Sequence, residues 1–309
     1  MTCSPACWVR YGDLLAVQYA DPRRMAFHQI VVDTYAARRL TQSPRHALTI
    51  HRRTTQMSKR EDYPAGAPCW VDTLQPDPRA AVRFYGALLG WSFDEATSMP
   101  NGLGGDYFAA RVAGRLVAGI GQAPASSPAV WSTYVGVNDI EQALARAEEA
   151  GGARLAGPMD AGSDGRLAVL TDATDVPFCL WQAGTRIGAE LVNEPNTWAM
   201  SSLHSTDLDQ AQAFYEAVFG WELEPVPHAP FSQWRLSNQV VAVVTATDGV
   251  TVPPHWSVNV AVRDADAIAD HAAALGGTVV LAPIDTPGYR SAVISDPQGG
   301  VIAVSAPAH

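Results

Sequence analysis

Three short segments of the chain alternate so that aromatic and polar side chains share one face of a β-strand. The residues grouped in this way are Trp70, Asp72 and Leu74; Ser132 and Tyr134; and Cys179 and Trp181. Aromatic rings with one carboxylate and a few hydroxyls suit the binding of a flat or amphipathic small molecule, and Asp72 is also a candidate catalytic group. The alternative is that these aromatic side chains only fill the interior of the fold.

A second set of alternating residues follows further along the chain, and its members are Met200, Ser202, His204, Ser257, Asn259 and Ser305. His204 is expected to be the only imidazole on this face. A single histidine is more often a hydrogen-bonded structural residue than a base. The second set has less aromatic surface and no carboxylate, so the first set is predicted to be the better ligand site. We expect His255, at the start of a strand, to be partly exposed.

These residues must be positioned by elements that the chain repeats. The phrase FYGALLGW at 84–91 returns as FYEAVFGW at 214–221, a displacement of 130 residues. An Asp before the first turn and a Gly after the last predict four helices, with Asp–Gly pairs at 77–90, 139–151, 207–220 and 264–276. The Asp and Gly residues that bound the predicted helices are assigned a structural role only.

Short alternating segments surround each predicted helix, so each quarter of the chain is predicted to form a β-α-β-β-β unit. WSTYVGVND at 131–139 matches WSVNVAVRD at 256–264, and GRLAVLTD at 165–172 matches YRSAVISD at 289–296. The chain therefore contains two copies of a two-part unit. The predicted fold class is α+β.

Charge and cysteine content narrow the function classes. Residues 1–60 hold ten Arg or Lys and three Asp, a net charge of +7, whereas residues 61–309 hold eleven basic and twenty-eight acidic residues, a net charge of −17. An acidic body repels nucleic acid and anionic lipid, so we expect neither as a partner. Four cysteines at unrelated spacings favour a reducing, cytoplasmic location, and no apolar run reaches the ~18 residues that a membrane span needs.

The repeated pattern resembles the vicinal oxygen chelate superfamily, which includes glyoxalase I, bleomycin-resistance proteins and extradiol dioxygenases. The segments that carry the resemblance are CWVDTLQPDPRAAVRFY, LWQA, IGAELVNEP and ISDPQGGVIAV. They are most similar to a two-domain actinobacterial subgroup labelled glyoxalase-like or hydroxylase. The resemblance implies tandem glyoxalase-like domains, in which two paired βαβββ modules form a curved mixed sheet, the cup.

The resemblance also implies where a divalent metal would be bound. Superfamily enzymes place a His, a His or Gln, and a Glu at three strand positions of the cup. The corresponding positions here are Trp70, Ser132 and Cys179 in the first domain, and Met200, Ser257 and Ala303 in the second. Neither set offers an imidazole or a carboxylate, so we expect both metal sites to be lost and predict no metal and no other cofactor.

The predicted boundaries are a basic N-terminal extension at 1–56, a linker at 57–66, a first domain at 67–184, a linker at 185–195 and a second domain at 196–307. The extension resembles part of an uncharacterised bacterial domain family. The residues that carry this resemblance are Cys7-Trp8, Tyr11-Gly12, His28, Asp33 and Tyr35-Ala36. The extension is expected to be partly helical or disordered and dispensable for the rest of the chain.

Two functions follow from these observations. The first is a metal-free protein that binds a small organic molecule in an aromatic-lined cup, with Trp70, Asp72, Ser132, Tyr134, Trp181 and His204 as candidate binding residues. The second is an enzyme of the superfamily, a lyase, an isomerase or a hydroxylase or oxygenase, that acts on a small metabolite. In either case we expect a small-molecule partner and a monomer or homodimer. Beyond Asp72 as a candidate, the sequence identifies no catalytic residue, and it identifies no specific ligand.

Overall fold

A computed structural model describes residues 58–100, 104–226, 231–249, 252–286 and 288–308. The predicted N-terminal extension, 1–56, lies outside these residues. No helix in the described part of the chain is long and apolar enough to cross a membrane.

The first half of the described chain forms one mixed sheet of nine strands. The strands are β1 (Pro68–Gln75), β2 (Ser92–Phe93), β3 (Thr97–Ser98), β4 (Asp106–Val112), β5 (Arg115–Gln122), β6 (Val130–Gly136), β7 (Ala153–Asp160), β8 (Gly165–Thr171) and β9 (Pro177–Ala183). Their order is β2-β4-β5-β1-β6-β9-β8-β7, with β3 paired to β4. Helix α1 (Pro78–Leu89) follows β1, and helix α2 (Ile140–Glu149) follows β6.

The second half repeats this arrangement with eight strands. They are β10 (Thr197–Ser205), β11 (Glu222–Pro225), β12 (Phe231–Leu236), β13 (Gln239–Ala246), β14 (His255–Ala261), β15 (Thr278–Thr286), β16 (Tyr289–Ser295) and β17 (Val301–Pro307), in the order β11-β12-β13-β10-β14-β17-β16-β15. Helices α3 (Leu208–Phe219) and α4 (Ala265–Ala274) follow β10 and β14. The predicted α+β class with two tandem mixed sheets is confirmed.

The helix starts follow the predicted capping rule. The Asp77 carboxylate accepts a hydrogen bond from the Ala80 amide at 3.0 Å, and Asp139, Asp207 and Asp264 cap their helices in the same way. Helices α1 and α3 end at Gly90 and Gly220 in the left-handed region, with φ of 66° and 71°. Helices α2 and α4 end one residue earlier than predicted, with Ala150 and Leu275 as their C-caps.

The two sheets pack against each other through the faces opposite to the candidate sites. The Thr133 hydroxyl of β6 donates to Ser201 Oγ of β10 at 2.8 Å. Thr133 alternates with Ser132 and Tyr134, so the predicted ligand face of the first sheet points away from the second sheet. A shared hydrophobic cluster joins Phe84 of α1 to strands of the second half.

Among the hydrogen bonds that join the halves, two tyrosine–aspartate bonds run in opposite directions. The Tyr85 hydroxyl of α1 donates to Asp296 Oδ2 at 2.8 Å, and the Tyr215 hydroxyl of α3 donates to Asp172 Oδ2 at 3.0 Å. All four residues are buried. These two tyrosines belong to the repeated phrases, so each copy of the phrase fastens its helix to the other half.

Each crossed link continues into an indole ring of the tyrosine's own half. The Trp131 indole N–H donates to the Tyr85 oxygen at 3.1 Å, and Trp256 donates to Tyr215 at 3.0 Å. Burial raises the pKa of both tyrosines, so both hydroxyls keep their protons and remain donors. The links are therefore buried, and their tyrosine donors stay protonated.

Candidate functional site

A cavity of about 330 Å³ opens on the predicted ligand face of the first sheet. Its wall includes the side chains that matter for chemistry, which are Trp70, Asp72, Tyr107, Tyr134, Trp181 and Arg186. We call this cavity the first cup. Its volume lies at the lower end of the ~300–1,000 Å³ typical of small-molecule sites, so it fits a small ring system.

Strand register brings the predicted residues together. Trp70 of β1 pairs with Tyr134 of β6, Asp72 pairs with Ser132, and Tyr134 pairs in turn with Cys179 of β9. Five of the six candidate binding residues thus line the first cup. The sixth, His204, lies on β10 in the second sheet, and the structure does not bring it to this cavity.

Asp72 is the carboxylate of the first cup, and only 1% of its surface is exposed. Its Oδ2 atom accepts hydrogen bonds from the Tyr134 hydroxyl at 2.7 Å and the Tyr107 hydroxyl at 3.2 Å. Its Oδ1 atom is buried and has no hydrogen-bond partner in the described part of the chain. Oδ1 is therefore an acceptor that the described residues leave unused.

Burial sets the protonation of this group. Loss of hydration raises the pKa of Asp72 to about 7, although the two tyrosine hydrogen bonds and the charge of Arg186 act in the opposite direction. Burial also raises the pKa of Tyr107 and Tyr134, and the negative charge of Asp72 adds to that effect. Near neutral pH both phenols stay protonated, whereas Asp72 populates both its acid and its carboxylate form.

Tyr107 reaches Asp72 because residue 119 has no side chain. Gly119 of β5 pairs with Asp72, and a Cβ atom at this position would overlap the Tyr107 hydroxyl. The Tyr107 oxygen also accepts a hydrogen bond from the Trp70 indole at 3.0 Å. Tyr107 was not among the predicted residues, although its position in the alternating strand GDYFAARV could have indicated an inward orientation.

Arg186 was also missed by the sequence analysis, which placed it in the linker after the first domain. Its guanidinium carbon lies 5.4 Å from the ring centre of Trp70, 5.5 Å from that of Tyr107 and 5.1 Å from that of Trp181. The guanidinium forms an ion pair with Asp164 at 3.0 Å, but its Nε atom is buried and has no partner among the described residues. The segment after β9 is thus part of the wall of the first cup.

The residues at the metal-ligand positions do not fit a superfamily metal. The Trp70 indole is a donor only and is bound to Tyr107. Burial raises the pKa of the Cys179 thiol well above its usual range, which disfavours the thiolate that a metal requires. In the part of the chain that the structure describes, no three His, Cys, Asp or Glu side chains are grouped so that they could hold a metal ion.

The corresponding face of the second sheet, which we call the second cup, contains two imidazoles. His204 stacks on His255 with ring centres 4.4 Å apart and planes within 1°. The expectation that His204 is the only imidazole on this face is therefore wrong, because His255 pairs with it across β10 and β14. The expectation that His255 is partly exposed is also wrong, since both rings are fully buried. Asn259 donates to Ser305 at 2.8 Å, so this face uses its polar groups internally.

The comparison with protein families decides the classification. Residues 70–181 and 200–305 match the family model described as a glyoxalase-like domain. The chain belongs to this family. Residues 1–75 match a second model, described as a family of unknown function (DUF5946).

Relatives and solved structures agree with the glyoxalase-like assignment. "Putative glyoxylase CFP32" of Mycobacterium tuberculosis (strain CDC 1551 / Oshkosh) is 39% identical over 260 residues, which cover 82% of this chain and 99% of that protein. "Anthracycline biosynthesis protein DauV" of Streptomyces sp. (strain C5) is 33% identical over 261 residues, which cover 78% of this chain and 94% of that protein.

Solved structures share the fold of this chain. A Mn(II)-bound glyoxalase from Novosphingobium aromaticivorans superposes with a TM-score of 0.55 at 15% identity, over 78% of this chain and 82% of that one. The 2,3-dioxygenase LapB from Pseudomonas sp. KL28 superposes with a TM-score of 0.55 at 12% identity, over 79% of this chain and 94% of that one. At these identities the structures show a shared fold only.

Proposed function

We propose that this glyoxalase-like protein binds a small organic molecule in its first cup, and does so without a metal ion. The observation that carries the proposal is the cavity of about 330 Å³ on the predicted ligand face, whose wall includes Trp70, Tyr134 and Trp181. A concave, mostly apolar site with a few polar groups is typical of sites that bind small molecules.

The surroundings of Asp72 support a flat ligand. Trp70, Tyr134 and Trp181 offer aromatic surface, and each favourable ring pair adds ~0.5–1.5 kcal/mol beyond the burial of area. The name of the relative DauV refers to anthracycline biosynthesis, and anthracyclines contain fused aromatic rings. This relationship favours an aromatic metabolite as the ligand class.

The donor chemistry of the cup supports the absence of a metal. Tryptophan, serine and a protonated thiol at 70, 132 and 179 replace the imidazole and carboxylate donors that a divalent ion of this superfamily requires. We therefore expect dialysed full-length protein to contain far less than one Mn, Fe, Ni or Zn per chain by elemental mass analysis. Stoichiometric metal that survives dialysis would refute the metal-free proposal.

An enzyme of the lyase or isomerase type is the second candidate function. The pKa of Asp72, about 7, and the adjacent cation Arg186 favour it, since a carboxylate that titrates near neutrality is suited to accept a proton from a carbon next to a carbonyl group. Tyr107 and Tyr134 would hold the carboxylate in place. Turnover that is lost in Asp72→Asn while ligand affinity persists would favour this candidate over simple binding.

The binding proposal is tested by a thermal-shift screen of the metal-free protein against small aromatic hydroxyl and carbonyl compounds. A ligand at 100 times its dissociation constant stabilises the folded state by ~2.7 kcal/mol, which is a measurable rise in melting temperature. Compounds that raise the melting temperature of the unmodified protein should no longer raise that of the Trp70→Ala variant. If no compound of this class raises the melting temperature, the proposal fails.

A further inference from the structure

Two segments that belong to predicted linkers are hydrogen-bonded to each other in the structure. The first is residues 58–63, which precede β1, and the second is residues 185–192, which follow β9 and which we call the strap. Both lie outside the residues that match the glyoxalase-like model. The strap carries Arg186 to the wall of the first cup, so its fastening bears on the shape of that site.

Two backbone hydrogen bonds join residues 58–63 to the downstream end of the strap. The Arg60 amide donates to the Glu190 carbonyl at 3.0 Å, and the Val192 amide donates to the Ser58 carbonyl at 2.9 Å. The two segments therefore run side by side, and neither is a free connection.

Tyr63 adds a third bond at the point where the strap lies against β1. The Tyr63 hydroxyl donates to the Ala189 carbonyl at 2.7 Å, and the Ala189 amide donates to the Cys69 carbonyl of β1 at 2.8 Å. A Cβ atom at residue 188 would overlap that carbonyl, so Gly188 lets the strap lie directly on the strand. Burial raises the pKa of Tyr63, so its hydroxyl remains a donor. Ala189 is thus held on two sides.

The upstream end of the strap is held at the wall of the cavity. The Arg186 amide donates to the Asp164 carbonyl at 3.2 Å, and the Arg186 guanidinium forms its ion pair with the Asp164 carboxylate. Arg186 is the only basic side chain among the described residues that line the cavity, and it lies over the rings of Trp70, Tyr107 and Trp181. Its place over the rings therefore depends on a strap that is fastened at both ends.

We infer that Tyr63 and the backbone of residues 58–63 are positioning groups of the first cup, because they hold the strap on β1 and so keep the Arg186 guanidinium over the aromatic rings. Without this fastening the strap is free to move, and water competes with the rings for the guanidinium. If the first cup binds a small molecule, as proposed above, these residues control the shape of the ligand site from outside it.

The test follows the Arg186 guanidinium directly in the full-length protein. Its Nε–H group is buried and so protected from exchange with water, and its proton–nitrogen NMR signal is identified by its absence in Arg186→Met. The nearby rings displace this signal from the position of an exposed arginine. Tyr63→Phe and Arg60→Pro each remove one hydrogen bond to the strap. In both variants the signal should move towards the exposed position or broaden.

Amide hydrogen exchange measures the fastening itself. In both variants a strap peptide that contains Ala189 and Glu190 should exchange about tenfold faster, which is the loss expected for one hydrogen bond. Tyr215→Phe is the matched control, because it removes a tyrosine hydroxyl that joins the two halves elsewhere. It should leave both the Arg186 signal and the strap peptide unchanged.

The outcomes separate a positioning role from a general effect on stability. An unchanged Arg186 signal in both Tyr63→Phe and Arg60→Pro would overturn the inference, even if both variants are less stable. An equal displacement in Tyr215→Phe would also overturn it, since the signal would then report overall stability. Neither measurement uses a ligand, so failure of the thermal-shift screen would refute the proposed binding function and leave the positioning role to be decided by these signals.

Discussion

Replacing Asp72 with Asn should stabilise the protein in a way that depends on pH. The pKa of Asp72 is about 7 in the folded protein, against 3.8 for an ordinary aspartate. Between these two values the folded state holds a proton that the unfolded state has released. The free energy of unfolding therefore decreases as pH rises from about 4 to about 7 and stays lower above that range.

The magnitude follows from the distance between the two pKa values. A difference of about three pH units, at 1.36 kcal/mol for each, corresponds to a loss of about 4 kcal/mol at pH 8 from Asp72 alone. Asn keeps the shape but cannot ionise, so it avoids this loss. The effect of the two tyrosine hydrogen bonds on the charged form is already contained in the pKa of about 7 and is not subtracted again. The net stabilisation of Asp72→Asn should be about 4 kcal/mol at pH 8 and about 1–2 kcal/mol at pH 5.

Melting temperatures at pH 5 and pH 8 provide the assay. One kcal/mol changes the melting temperature of a domain of this size by ~2–8 °C, so the variant should melt higher than the unmodified protein by a clearly larger margin at pH 8 than at pH 5. Burial also raises the pKa of Asp172 and Asp296, but these residues are present in both proteins and cancel in the comparison. The exposed Asp62→Asn is the control. An equal difference between Asp72→Asn and the unmodified protein at both pH values would show that the folded protein does not raise the pKa of Asp72.

The other predictions concern the two cups, the crossed links and the extension. Trp70→Ala should weaken binding of an aromatic compound identified in the thermal-shift screen about tenfold or more by calorimetry, whereas Met200→Ala should change it little; equal losses would contradict the assignment of the ligand to the first cup. Tyr215→Phe should lower the free energy of unfolding by ~1–3 kcal/mol. Tyr85→Phe should lower it by less, because Gln75 also donates to Asp296 Oδ2 at 2.6 Å. A larger loss for Tyr85→Phe than for Tyr215→Phe in denaturant titrations would contradict the role of the tyrosine–aspartate links. Protein that begins at Met57 should match the full chain in melting temperature and ligand affinity, and a melting temperature lower by many degrees would show that the extension is integral.

Local signals in the sequence predicted the framework well. Helix α1 begins after Asp77 and ends at Gly90, as predicted, and strand alternation placed Trp70, Asp72 and Tyr134 on one face. These features depend on neighbours along the chain, so capping and the two-residue strand period are enough to recognise them.

Other features of the site depend on distant parts of the chain and were not visible in the sequence. Arg186 lies in a segment without periodicity, and only the tertiary structure shows that it folds back over three aromatic rings. Tyr107 reaches Asp72 only because Gly119 on the next strand leaves room. His255 was missed for a different reason, since it shares the strand parity of Ser257 and Asn259 and the same alternation rule would have placed it beside His204.

The crossed tyrosine links have a consequence for symmetry. Tyr85 bonds Asp296 and Tyr215 bonds Asp172, so each half offers the other the same donor and the same acceptor. This reciprocity is the property of an isologous interface, in which two identical subunits are related by a twofold axis. The tandem chain therefore has the internal geometry of a homodimer whose subunits are joined by residues 185–195. A single-domain relative that keeps this tyrosine and this aspartate should assemble as a twofold dimer through the same face.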